Sequence, residues 1–154
     1  MASFYLDTSA LVKRYAIEPG TSWIVGLTNP AAAHLLYTVR LTAAETIAAL
    51  YRKIRTGEID ARQARQAEAA FRADWAWQYE IGEATEAVVE RAMTLARRYP
   101  LRGYDALHLA AALEIDNVAQ GAGLAPLTLL SADGQLLAAA TSEGLAVGDP
   151  NRHQ

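Results

Sequence analysis

Five short apolar runs alternate with longer stretches of helical periodicity along this chain, and that alternation constrains the fold more than any other feature. Phe4 to Leu6, His34 to Val39, Tyr79 to Ile81, Leu127 to Leu130 and Leu145 to Val147 have the length and the apolar, β-branched or aromatic content of strands. Helical stretches separate them. Ala10 to Tyr15 ends at the Pro19-Gly20 pair, Thr21 or Ser22 opens a run to about Leu27, and Val88 to Tyr99 keeps helical spacing until Pro100. Strands divided by helical runs join in parallel, because a parallel neighbour needs a crossover long enough to hold a helix. The expected fold is therefore α/β, a largely parallel sheet covered by helices.

Local signals sharpen the helices. Thr42-Ala43-Ala44-Glu45 fits a capping box, followed by an apolar face of Ile47, Leu50, Tyr51 and Ile54 and a stop at Gly57. Asp60 and Gln63 repeat the pattern ahead of an Ala-rich run toward Phe71, Trp75 and Trp77, so two helices should form a hairpin. Ala106 to Leu113 is apolar almost all round except for His108, which predicts a buried helix against the sheet. Gln135 to Ser142 reads as a further helix.

A length of 154 residues with 52% hydrophobic and 20% charged residues suits one domain with a real core. Residues 1–147 are expected to form that domain, and residues 148–154 a flexible tail. The lack of cysteine removes thiolate chemistry and disulfides, leaving oxygen or imidazole for any metal, and suits a cytoplasmic protein. Neither a basic, apolar leader nor a run of about 18 apolar residues is present, so no membrane role is expected.

A net charge of -3 argues against gripping nucleic acid through bulk electrostatics. Local cations remain at Arg52, Lys53, Arg55, Arg62 and Arg65, and again at Arg97, Arg98 and Arg102; a solvated helix face is their ordinary explanation. His34, His108 and His153 lack zinc-type spacing, and neither a nucleophile elbow nor a GxxxxGK loop occurs. His108, one turn beyond Asp105, is assigned to the core or to a hydrogen bond rather than to a ligand set.

Four carboxylates hold comparable positions. Asp7 and Asp133 each follow a strand run, while Glu45 and Asp105 stand at helix starts, and in a parallel sheet these places share one edge. Taken singly, each is a helix cap. Taken together, they would repel unless a cation offset them, and magnesium or manganese is the hard ion that prefers such oxygens. Bound near a phosphodiester, such an ion supports hydrolysis. Thr8, Ser9 and Ser131 are supporting candidates, with turn and capping roles as the alternative.

The motifs resemble a known family. Phe4 to Lys13 resembles the opening of VapC-like PIN domains, Leu41 to Leu50 with Ala44-Glu45 resembles their second motif, and Arg102 to Ala112 their third. Leu130 to Ala140, followed by Glu143-Gly144-Leu145, resembles the fourth, so the likeness spans nearly the whole chain. It implies a PIN-like three-layer fold and an acidic quartet of Asp7, Glu45, Asp105 and Asp133 binding Mg²⁺ or Mn²⁺. It also implies endoribonuclease activity on RNA, a homodimer, and inhibition by a cognate antitoxin as the toxin of a toxin-antitoxin pair. A catalytically silent binding or regulatory module and, further off, a DNA nuclease are the alternatives.

Overall fold

In a computed structural model, which describes residues 1–153, the five strand runs become one sheet. β1 (Ser3–Leu6), β2 (Leu35–Val39), β3 (Glu80–Gly82), β4 (Leu127–Leu130) and β5 (Ala146–Gly148) lie in the order β3-β2-β1-β4-β5. All four pairings are parallel. The central pair is registered Tyr5 to Leu129 and Leu6 to Leu130, so their C-terminal ends stop level with each other.

Among the described residues seven α-helices fill the crossovers: α1 (Thr8–Leu11), α2 (Thr21–Leu27), α3 (Leu41–Arg55), α4 (Ala61–Trp75), α5 (Glu86–Arg98), α6 (Gly103–Gly121) and α7 (Gly134–Ser142). The period-2 alternation of the strands divides the core between the two sheet faces. Tyr5, Val39, Leu127 and Leu129 pack with the buried residues of α5, α6 and α7. Leu6, Leu36 and Leu130 pack on the other face with Leu11, Ile24 and Phe71. The result is the three-layer α/β arrangement expected from the sequence, with a wholly parallel sheet among the described residues.

The apolar centre of α6 is buried from Ala106 through Leu113 apart from the partly covered Leu107, and the helix runs on to Gly121 with Glu114, Asn117, Val118 and Gln120 exposed and Ala119 buried. Asp60 and Gln63 form the expected capping box, each side chain paired with the other's backbone N–H at 2.8 Å. The box expected at Thr42 and Glu45 does not form. Arg40 opens α3 without a side-chain cap, and Thr42 is buried, accepting from Thr38 Oγ1 at 2.7 Å. Packing against β2 thus takes the threonine hydroxyl that would have capped the helix, and releases Glu45 for other partners.

The segment from Gly148, expected to be a flexible tail, is built into the fold through residue 153. Asp149 caps a 3-10 turn over Pro150–Arg152, Pro150 is buried, and the His153 ring stacks on Trp23 at 4.0 Å. Gly20, at φ +87°, is what admits this approach: a Cβ there would stand 2.3 Å from the Pro150 carbonyl oxygen. Gln154, the last residue of the expected tail, lies outside the described residues. Among those residues, no helix is long and apolar enough to cross a membrane.

Candidate active site

Parallel topology brings the C-terminal ends of β1 and β4 and the first turns of three helices to one edge, and the four sequence-selected carboxylates meet there. Asp7, Glu45, Asp105 and Asp133 all line one cavity of about 440 Å³. Each is held differently.

Asp7 follows β1 and caps α1, accepting from the Ala10 N–H at 2.9 Å. Its other donors are Ser9 Oγ at 2.7 Å and Ser131 Oγ at 2.6 Å. Burial raises its pKa above the ordinary carboxylate value, against the lowering effects of His108 and of these donors. Asp133 follows β4 and caps α7, with Oδ1 accepting from the N–H groups of Gln135 and Leu136 at 2.9 and 3.2 Å. Its own N–H donates to Ser131 Oγ at 3.0 Å, so Ser131 links the two aspartates.

Asp105 lies in the first turn of α6 but is not its cap, a position that Arg102 occupies. Its pKa is raised by burial first, then by the charges of Asp133 and Asp7, against His108 and Arg102. Like charges therefore face one another across this end of the cavity. Glu45, past the first turn of α3, accepts from Thr8 Oγ1 at 2.9 Å and sits 2.7 Å from His108 Nε2. Burial pushes its pKa up, but His108 and Thr8 outweigh it and the net direction is down.

Thr8, Ser9 and Ser131 thus orient carboxylates in this structure, a role in addition to turn formation. His108 was assigned to the core or to a hydrogen bond, and it has both: it is buried, and it reaches Glu45 from one imidazole nitrogen and the Tyr5 hydroxyl from the other. Its spacing of one turn from Asp105 places it near the site, but nothing local announces Glu45 as its partner.

The same cavity is also lined by Arg52, Lys53 and Arg102. Lys53 is engaged by Glu18 and Glu58, both at 3.4 Å, whereas Arg52 and Arg102 form no ion pair with any described residue. Lys13 and Arg14 point elsewhere: Lys13 is buried toward Glu18, and Arg14 binds Asp74 at 3.2 Å and the Tyr79 hydroxyl at 2.8 Å. The tryptophans divide, with Trp75 packed between Phe71 and Tyr79 and Trp77 exposed beyond the end of α4.

The donor set facing the cavity is oxygen from carboxylates, which suits a hard divalent cation. Among the described residues, no three acidic or histidine side chains stand together as a ready metal-binding group. An octahedral magnesium ion keeps several waters and takes one or two carboxylates, so these residues fit that ion better than one needing a closed protein cage.

Comparison with known proteins gives the family. The family model described as "PIN domain" matches residues 4–140. The chain belongs to the PIN-domain family. Two curated members, ribonuclease VapC45 and ribonuclease VapC49 from strains of Mycobacterium tuberculosis, are each 36% identical over 115 residues, covering 75% of this chain and 78% of theirs. This PIN domain is therefore VapC-like. Its fold is shared by PAE2754 from Pyrobaculum aerophilum, at 20% identity and a TM-score of 0.58 over 99% of this chain and 94% of that one. A toxin-antitoxin complex from Klebsiella pneumoniae matches at 18% identity and 0.59 over 95% and 96%. VapBC2 from Rickettsia felis, bound to a promoter DNA fragment, matches at 14% identity and 0.61 over 96% and 98%.

Proposed function

We propose that this PIN domain is a Mg²⁺- or Mn²⁺-dependent endoribonuclease and the toxin of a toxin-antitoxin pair. The observation that carries the reading is the meeting of Asp7, Glu45, Asp105 and Asp133, drawn from four separate elements, on one cavity. Capping accounts only for Asp7 and Asp133, and it does not require them to share a cavity with Glu45 and Asp105. The family name ribonuclease, borne by the two mycobacterial relatives, points to the same chemistry.

In this reading Asp7, Glu45, Asp105 and Asp133 would hold the ion, one or two of them directly and the others through its waters. When bound, the ion neutralises charge at the scissile phosphate and lowers the pKa of an attacking water. The protein's own work is positioning. Ser9, Ser131 and the Ala10 N–H fix both oxygens of Asp7, and the α7 N-terminus fixes one oxygen of Asp133. Arg52 and Arg102 supply the local cations that an RNA strand needs to enter an acidic cavity.

A cognate antitoxin laid across the cavity, and a homodimer, complete the proposal; the Klebsiella structure is of a toxin-antitoxin complex. The exposed side chains of Val89, Met93 and Tyr104 on α5 and α6 offer apolar surface to such partners. The absence of a ready three-residue metal group among the described residues favours one other reading, a PIN fold that binds without cutting. Matched single-stranded RNA and DNA incubated with the purified protein in Mg²⁺ separate these readings. RNA cleavage alone is expected; cleavage of neither supports the silent module, and cleavage of DNA supports a DNA nuclease.

A further inference from the structure

We propose that His108, backed by Tyr5, is a positioning residue that anchors one oxygen of Glu45 and leaves the other for the acidic cavity. The inference rests on reading that cavity as a metal-dependent RNA-cleaving site.

Tyr5 is fully buried on β1, and its hydroxyl lies 2.8 Å from His108 Nδ1. The rings meet edge to face at 5.9 Å between centroids, which limits rotation of the imidazole. A phenol that donates to Nδ1 requires the proton of a neutral imidazole to sit on Nε2; an imidazolium has one there as well. Either form donates from Nε2 to Glu45 Oε1 across 2.7 Å.

Thr8 Oγ1 donates to the same oxygen at 2.9 Å. Two donors on Oε1 fix the carboxylate plane, while Oε2 accepts from no described residue. A core role alone explains burial of His108, but not why both nitrogens are used in a chain that ends on a cavity-lining carboxylate. Hydrogen-bonded partners of this kind orient metal-binding side chains, and their loss commonly costs about 10- to 100-fold in metal affinity or activity.

The test uses the full chain with His108→Leu, His108→Gln and Tyr5→Phe. Long-range ¹⁵N NMR of the metal-free protein, with the His108 signal assigned by its loss in His108→Gln, should show a proton on Nε2. His108→Leu should lose about 10- to 100-fold in RNA cleavage and part of the Mg²⁺-induced rise in Tm, with KM for RNA retained. His108→Gln keeps an N–H donor and should recover most of both, and Tyr5→Phe should fall between. A bare Nε2 overturns the inference, as does His108→Leu with wild-type cleavage or His108→Gln no better than His108→Leu. Should His108→Leu fail to fold, the NMR signature and Tyr5→Phe decide, and wild-type cleavage by Tyr5→Phe counts against. A wild-type protein that neither cleaves RNA nor responds to Mg²⁺ overturns the reading of the site itself, and this inference with it.

Discussion

Ser131 Oγ donates to Asp7 Oδ2 at 2.6 Å, joining the ends of neighbouring strands across 124 residues of sequence. Both residues are buried, and this bond is one of the interactions that lower the Asp7 pKa against the larger effect of burial.

Ser131→Ala should therefore push the Asp7 pKa further up and destabilise the protein by about 1.5 to 3 kcal/mol where Asp7 is ionised. The sign with pH follows. Asp7 has a raised folded pKa, so its contribution to stability is present below the unfolded value and is lost as pH rises through the folded one. The variant should match the wild type most closely in acid and fall furthest behind at neutral pH. Urea denaturation at both pH values measures this; an equal deficit at both would show that the bond does not act through the charge of Asp7.

Asp105→Asn should hold or raise the melting temperature of the metal-free protein at neutral pH. Asp105 also has a raised pKa, from burial and then from Asp133 and Asp7, so ionising it costs stability as pH rises, and the amide avoids that cost. Because Arg102 and not Asp105 caps α6, no cap is lost. The same variant should gain less from Mg²⁺, since a ligand stabilises the fold in proportion to its occupancy. Thermal melts with and without Mg²⁺ check both; an undiminished Mg²⁺ increment would remove Asp105 from the metal site.

Arg52→Ala should weaken binding of single-stranded RNA and reduce the slope of log K against log salt by about 0.7, the value of one phosphate contact. Arg55→Ala, on the same helix but outside the cavity lining, is the control. Fluorescence anisotropy over a salt series reads the difference. Equal slopes for wild type and Arg52→Ala would mean that Arg52 contacts only water.

How much of this was legible in the sequence depends on how far each feature reaches through space. Asp7 and Asp133 announce themselves locally, as caps placed at once or within three residues after apolar strand runs, and the alternation of strands with helical stretches carries the parallel sheet. Thr42 could not be read the same way. Its pattern with Glu45 is that of a capping box, and only the approach of Thr38 from β2 shows that the hydroxyl is already engaged. His108 was correctly expected to be buried, but Glu45 is 63 residues away and nothing local announces their contact. The last turn was missed for the same reason: Trp23 and Gly20, far upstream, receive His153 and Pro150. The partners of Arg14, Asp74 and Tyr79, likewise arrive from a distance, with the end of α4 and the turn after it.

The most direct test of the central claim is single-turnover cleavage of an end-labelled RNA by the wild type in Mg²⁺ and in EDTA. Asp7→Asn, purified in parallel, controls for contaminating nuclease. The expected result is cleavage by the wild type in Mg²⁺, none in EDTA, and a loss of at least about 100-fold in Asp7→Asn, in line with removal of a group that holds the metal. Cleavage undiminished by EDTA, or equal in Asp7→Asn, would contradict metal-dependent catalysis by this acidic cavity.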